Sequence, residues 1–504
     1  MNDERVKADL PAGFHDYLPR EMIVRNAMIE KIRRVFECFG FDPLETPAIE
    51  RKVVLTGGET TAMRIYNVRA QDEVVVTDER SPIPLALRFD LTVPLARVVA
   101  EHLGIGEGQE RALRLPFRRY QIGNVWRGEK PQAGRFREFL QCDADACGTE
   151  APVADAEIVA LMVATLRVLD VPRFVVKMND RKLLNGLAAY AGFDPAYTAD
   201  VLRILDKFMK IGRDGVLREL QKPPRPATAH VREGEEDEES DYGLGLSADV
   251  ADRIGNFLDC SGGTDDLLDQ CTSLFTGVAT AEEGIAELRA IVHALRAMAV
   301  PEQYWAFDPA VARGLGYYTG PVFETFLLHE DGSTIERMHT DDAGTKTVER
   351  FGSVFSGGRY DGLVSRFSDA NIPATGASIG VDRLFDQLVK LDRITLTPTL
   401  VQVLVTVMDQ QFLDDYYAIT ATLRDAGIRT MLWTGTETTF KSQMAYAAAQ
   451  EIPVLVIMGG DEQAAGTVTI RDMATRSQEA SPRGALVETI QRMLGRAWVV
   501  AHNN

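Results

Sequence analysis

Between residues 65 and 150, four apolar runs of strand length follow one another: Val74–Thr77, Leu85–Phe89, Tyr120–Trp126 and Phe136–Cys142. Only two helical stretches, at about 92–103 and 153–169, interrupt or follow them. Consecutive parallel strands need a crossover of a dozen or more residues, usually a helix, and this spacing has no such regular alternation. The pattern predicts an antiparallel sheet of α+β type. Strand character returns only at Val322–Leu328, after a stretch over 183–300 rich in Ala, Leu, Asp and Arg at helical spacing. That stretch is expected to be a helical insertion into the sheet's chain. Ahead of the strands, Ile23, Ala27, Ile32, Val35, Phe36 and Phe39 predict an amphipathic helix over 21–39, ended by Gly40, with an extended segment from Phe41 to Pro47.

Beyond Thr397-Pro398 the pattern changes. Short apolar strands at Leu400–Val407, Ile428–Trp433 and Val454–Ile457 alternate with helical stretches at 411–426 and 438–450, which predicts a separate α/β module. The expected organisation is thus 1–182 and 301–396 as two parts of one core, 183–300 as the insertion, and 397–504 as the C-terminal domain. A chain of 504 residues is too long for a single core in any case.

The formal net charge of −19 argues against a non-specific binder of DNA or other nucleic acid, which would be basic. Part of the excess sits in Glu233–Asp241, seven carboxylates in nine residues, expected to be a solvated loop without chemistry. A charged N-terminus without an apolar core, no apolar run of membrane length and five cysteines in so long a chain predict a cytoplasmic protein. Cys142 and Cys147 lack a second Cys/His pair at metal spacing, so core or pocket-wall thiols are expected and no metal site made by protein alone.

Two segments carry chemistry. Residues 313–324, Arg-Gly-Leu-Gly-Tyr-Tyr-Thr-Gly-Pro-Val-Phe-Glu, set an arginine and two tyrosines among glycines and run into an apolar strand. Ser356-Gly-Gly-Arg-Tyr-Asp-Gly362 repeats that grammar. Glycine admits close approach of a ligand, and arginine grips a carboxylate or phosphate with paired hydrogen bonds. Together they point to a small, anionic polar ligand. No Gly-x-x-x-x-Gly-Lys-Ser/Thr loop is present, so any nucleotide phosphates must be held by arginines. Tyr120–Glu129 and Arg135–Gln141 read as two strands of a charged hairpin, with Arg127 and Glu129 on one face of the first. Gly376–Phe385 is expected to open a helix that carries Arg383. Single residues keep plain alternatives: Asp90 as a helix cap near Thr92, Tyr318 and Tyr360 as sheet core.

The hairpin resembles motif 2 of the class II aminoacyl-tRNA synthetases, the Arg383 helix their motif 3, and the helix at 21–39 with Pro47 their motif 1. Arg-Gly-Leu-x-Tyr-Tyr-Thr-Gly and Gly-Gly-Arg-Tyr-Asp-Gly-Leu are similar to the two signature peptides of histidyl-tRNA synthetases; Leu87–Pro94 and Gln141–Asp145 look like further pocket segments. The likeness spans essentially the whole chain and implies an antiparallel class II catalytic core, a C-terminal anticodon-binding domain, ATP and Mg²⁺, L-histidine and tRNA(His) as partners, and a homodimer. It implies Arg127 on the ATP α-phosphate, Glu129 near the adenine, Arg383 on the γ-phosphate, and Arg313 bridging the histidine carboxylate and the α-phosphate. Asp90, Thr92 and Gln141 would bind the α-amino group, Asp145 and Tyr318 would read the imidazole, Tyr317 would line the pocket and Tyr360 would close it. Lys130, Gln132 and Arg135 would face the tRNA acceptor end. Two departures stand out: Gly316 replaces the family's usual Asp, and Lys130 replaces an Arg found in many bacterial members, which leaves the need for an extra 5′ guanylate open. The competing expectation is a non-catalytic paralogue, the regulatory subunit of ATP phosphoribosyltransferase. Such paralogues tend to lose the catalytic arginines and the anticodon domain.

Overall fold

A computed structural model describes residues 7–57, 64–69, 84–103, 113–129, 136–224, 242–312, 317–329, 331–340, 346–350 and 352–501. The chain divides into two compact units, Met1–His15 with Met28–Arg393, and Asp16–Ala27 with Ile394–Asn504.

The first unit is built on an eight-stranded sheet: β1 (Asp42–Pro43), β2 (Phe117–Trp126), β3 (Glu138–Cys147), β4 (Phe174–Asp180), β5 (Trp305–Phe307), β6 (Pro321–Leu327), β7 (Phe355–Arg359) and β8 (Ala374–Gly380). Their order across the sheet is β1-β2-β3-β8-β7-β6-β4-β5. Every pair is antiparallel except the two at the edges, β1 with β2 and β4 with β5. The antiparallel α+β expectation therefore holds. Four strands went unread: β7 and β8, which lie in glycine-rich segments, and β4 and β5. Phe174–Asp180 alternates cleanly but is short, and Trp305–Phe307 has three residues, too few for a period to show. Val74–Thr77 lies outside the described residues.

Helix α1 spans Pro19–Cys38, α2 spans Thr92–His102 and α3 spans Pro152–Val168. Ile158, Val159, Leu161, Met162, Val163 and Leu166 of α3 are all buried, because the helix packs on β8 on one side and on helix α4 (Ala279–Ala297) on another. A helix apolar nearly all round is one covered nearly all round. Between β4 and α4 the described chain is helical, and the Asp180 carboxylate accepts from the Lys182 amide to cap its first turn.

Gly376–Phe385 does not open as a helix throughout. Gly376–Ile379 belong to β8, and helix α5 (Val381–Lys390) starts only after Gly380. The glycines hid this strand, since they carry no apolar alternation. Asp382 then fastens the helix to the sheet by accepting from the Leu140 amide of β3 at 2.7 Å.

The second unit has a five-stranded sheet ordered Thr430–Leu432, Val403–Val405, Val454–Ile457, Thr467–Asp472, Gln478–Pro482. The first three strands are parallel and alternate with helices Leu413–Asp425 and Phe440–Ala449, as the α/β pattern predicts. The final antiparallel hairpin was not read, because its strands are polar on the open face. Val403, Val405, Tyr416, Leu423, Val456, Ile470 and Ile490 form its core. Among the described residues no helix is long and apolar enough to cross a membrane.

Candidate active site

One face of β2, β3 and β8 carries a polar grid. Cross-strand register aligns Arg119, Asp145 and Gly376 in one row, Gln121, Asp143 and Ser378 in the next, and Gly123, Gln141 and Gly380 in a third. Strand periodicity keeps all nine on the same side. Arg119 is fully buried, and Asp143 and Asp145 are each 2% exposed. An unpaired charge in such a place costs far more than an exposed one, so its surroundings decide what it is for.

Arg119 Nη2 lies 2.9 Å from Asp145 Oδ2, an ion pair whose angle is not that of a hydrogen bond, and the same nitrogen donates to the Leu91 carbonyl. The Tyr360 hydroxyl donates to Asp145 Oδ1. Burial lowers the Arg119 affinity for its proton, but Asp145 and Asp143 more than restore it. Burial raises Asp145 above the usual carboxylate range, against the pull of Arg119 and Tyr360. Neither Arg119 nor Asp143 stood out in the sequence. The signal was there in the alternation Gln141, Asp143, Asp145, which puts three polar groups on one strand face.

Asp145 can lie flat on the sheet only because residue 376 has no side chain. A Cβ at Gly376 would stand 2.0 Å from Asp145 Oδ1 and 2.8 Å from the Ala144 carbonyl. Gly358 does the same for Tyr318, whose ring carbon Cδ1 would be 2.9 Å from an added Cβ. Gly376→Ala is accordingly expected to destabilise the fold by about 1–3 kcal/mol, the usual cost of forcing a methyl into a packed site. Urea denaturation reads this directly, and an unchanged midpoint would show that Asp145 can step aside freely.

Asp90 bonds the helix start through one oxygen and leaves the other over. Oδ1 accepts from the Val93 amide at 3.0 Å in the first turn of α2, while Oδ2 is buried without a hydrogen-bond partner. Burial raises its pKa. Thr92 contacts the Tyr317 hydroxyl. Tyr317, Tyr318 and Tyr360 form an aromatic cluster, with ring centroids 5.0 Å apart for the first pair and 5.9 Å for Tyr317 and Tyr360. They pack on the apolar cluster of Val93, Leu95, Leu363 and Ala374, so the core reading holds for these tyrosines. Gln141 Nε2 donates to Ser378 Oγ at 2.7 Å and its Oε1 is left without a donor.

Strand β2 ends at Trp126, so Arg127 and Glu129 do not share a strand face as the spacing implied. The Arg127 amide extends the ladder by one bond to Arg137, and Gly128 then turns to bond Arg64 instead. The Arg127 guanidinium stacks 4.4 Å over Phe89 and 5.2 Å from the Phe139 ring centre, with Nε donating to the Phe89 carbonyl. Glu129 is exposed. Arg383, in the first turn of α5, donates from Nη1 to the Ser353 carbonyl at 2.8 Å. Its neighbour Asp382 is bonded to Leu140, next to the Phe139 that flanks Arg127.

The second glycine segment needs correction. Ser356–Arg359 is strand rather than loop, and Arg359 points its guanidinium at the buried Asp155 of α3, not at a ligand space. Arg313 and Gly316 lie outside the described residues, as do Lys130, Gln132, Arg135 and the acidic stretch 233–241. Cys142 and Cys147 are buried, and burial pushes the Cys147 thiol up to about 12.

A family model described as histidyl-tRNA synthetase matches residues 13–384, and one described as anticodon binding domain matches 402–493. The chain belongs to the histidyl-tRNA synthetase family. It is 39% identical to the histidine–tRNA ligase of Paracoccus denitrificans, over 99% of this chain and 97% of that protein. With that of Dinoroseobacter shibae it is 41% identical, over 94% and 92% respectively. The crystal structure of histidyl-tRNA synthetase from Nostoc sp. PCC 7120 superposes with a TM-score of 0.77 at 30% identity, covering 97% of this chain and 100% of that one.

Proposed function

We propose that this chain is a histidine–tRNA ligase: it activates L-histidine with ATP to histidyl-adenylate and pyrophosphate, then transfers histidine to the 3′ end of tRNA(His). The observation that carries this is the buried polar grid of β2, β3 and β8, closed by three tyrosines, in a chain that also has the family's anticodon-binding domain at 402–493. Aromatic walls with a few fixed polar groups suit one small polar side chain. Buried donors and acceptors penalise any amino acid that leaves them unpaired, which is how histidine is selected without editing.

In this mechanism the nucleophile is the histidine carboxylate, already ionised, so no enzymic base is needed. Catalysis is positioning with electrostatic stabilisation. Arg127, held flat on Phe89, would grip the α-phosphate, with Glu129 near the adenine. Arg383 would hold the γ-phosphate, and Arg313 would bridge carboxylate and α-phosphate as charge shifts between them. Asp90, Thr92 and Gln141 would take the α-amino group; Asp145 and Tyr318 would read the imidazole, with Tyr317 as wall and Tyr360 as closure. Mg²⁺ would offset phosphate charge. Among the described residues no three His, Cys, Asp or Glu side chains are grouped to hold an ion, so no step is assigned through it.

The same proposal takes 1–182 with 301–396 as the catalytic core, 183–300 as its insertion and 397–504 as the anticodon-binding domain. It takes Lys130, Gln132 and Arg135 as the loop facing the tRNA acceptor end, a homodimer as the working unit and the cytoplasm as its place. Histidine-dependent ATP–pyrophosphate exchange is expected from the purified protein. Absence of exchange would overturn the ligase assignment in favour of a regulatory paralogue of ATP phosphoribosyltransferase, a role against which the presence of Arg127, Arg313, Arg383 and the C-terminal domain argues.

A further inference from the structure

Apart from Asp145 Oδ2, which Arg119 faces as an ion pair, three buried acceptor atoms of the grid and its border have no donor among the described residues: Asp90 Oδ2, Gln141 Oε1 and Asp143 Oδ1. Buried polar atoms are nearly always paired, so three orphans of one kind in one pocket call for a common partner. The partner must bring three N–H groups and positive charge, which is the description of an ammonium group. Asp143 sits between Gln141 and Asp145 on the same face of β3 and opposite Ser378 of β8. The Ser378 hydroxyl accepts from Gln141 and hydrogen-bonds Asp143, so one serine orients both side chains and leaves Oδ1 and Oε1 over. Thr92, the other hydroxyl near Asp90, meets Tyr317.

We infer that Asp143 is a substrate-binding carboxylate which, with Asp90 and Gln141, forms a three-acceptor socket for the α-ammonium group of the amino acid. The inference rests on taking this pocket as an amino-acid site. Charge supports it. The groups facing Asp143 are Arg119 from β2, Asp145 from its own strand, Asp90 from the segment before α2 and Ser378 from β8, with the Tyr318 phenol also near. Asp143 and Asp145 thus share the Arg119 guanidinium, Asp90 draws on Arg127 and Arg119, and burial pushes Asp143 up to about 7. Three carboxylates then face two guanidinium groups, and an arriving ammonium ion adds a third positive charge and expels that proton.

Calorimetric titration of the full-length protein with three ligands tests this: L-histidine, histidinol (amine kept, carboxylate lost) and imidazole-propionate (amine lost). Asp143→Asn keeps shape and removes charge; Asp143→Ala removes the acceptor as well. Each variant is expected to bind L-histidine and histidinol roughly ten- to a hundredfold more weakly, the worth of a charged hydrogen bond. Imidazole-propionate should bind as before. The affinity of the unaltered protein for histidinol should rise, relative to Asp143→Asn, as pH climbs through about 7, where Asp143 loses its proton. The melting temperature of Asp143→Asn should hold or rise, since a costly buried charge is gone. Equal weakening for all three ligands, or none for L-histidine, would overturn the assignment. If the unaltered protein itself fails to bind L-histidine, the amino-acid site falls, and this inference with it.

Discussion

Arg313→Ala is expected to lower histidine-dependent ATP–pyrophosphate exchange by about 10³-fold while the protein remains folded. A single preorganised donor aimed at developing negative charge is worth about 10²–10³-fold, and an arginine on a transferring phosphoryl group more. The proposed function puts Arg313 in that position on the strength of its motif. The described chain on either side is anchored: the Val311 carbonyl accepts from Asn179 at 2.9 Å, Ala312 is buried, and the Tyr317 and Tyr318 rings pack together. Because its contribution is to the transition state, kcat should fall more than KM for histidine rises. Exchange at near-normal rate in this variant would take Arg313 out of the mechanism.

Arg359→Ala should instead strike stability, by about 3–5 kcal/mol, the cost of stranding a buried charge. Arg359 gives Nε and Nη2 to the Asp155 carboxylate, Nη1 to the Thr149 carbonyl at 2.9 Å, and its own carbonyl accepts from the Thr319 amide at 2.8 Å. It therefore ties the second glycine segment to α3 and to the first segment. With the guanidinium gone, Asp155 is left with burial as the main influence on its proton, and its pKa rises further above the unfolded value. A raised carboxylate pKa means that the folded form binds the extra proton, so the deficit should be smaller near pH 5 and grow as pH rises. Replacing Arg359 and Asp155 together by apolar residues should recover most of the loss. Urea midpoints across pH decide the matter. Unchanged stability with lost anion binding would return Arg359 to the ligand-gripping part that its sequence context proposed.

That arginine marks where legibility ended. Gly-Gly-Arg-Tyr has the same letters as a ligand loop, but whether an arginine faces a ligand or a carboxylate depends on Asp155, two hundred residues away. Long-range pairings of this kind leave no local trace. The strong helices, α1, α2 and α3, and the antiparallel character of the sheet were readable because their periods are local. Strand β8 was not, since Gly376 and Gly380 erase the alternation that would mark it. Asp145, Gln141 and Asp90 were reached through the motif resemblance. Arg119 and Asp143 were missed because no motif names them, though the period of β2 and β3 alone brings them to the same face.

The floor beneath Asp145 and Tyr318 is bare main chain at Gly376 and Gly358. A floor of that kind has nothing left to whittle away. Anyone hoping to make this enzyme accept a bulkier amino acid cannot deepen the cavity from below, and any substitution there only makes it shallower. Room must then come from trimming the β3 side chains or the tyrosines, the very groups proposed to tell histidine from its rivals. Enlargement and discrimination are thus opposed in this architecture, and a re-specified variant must rebuild its polar contacts at the same time as it gains volume.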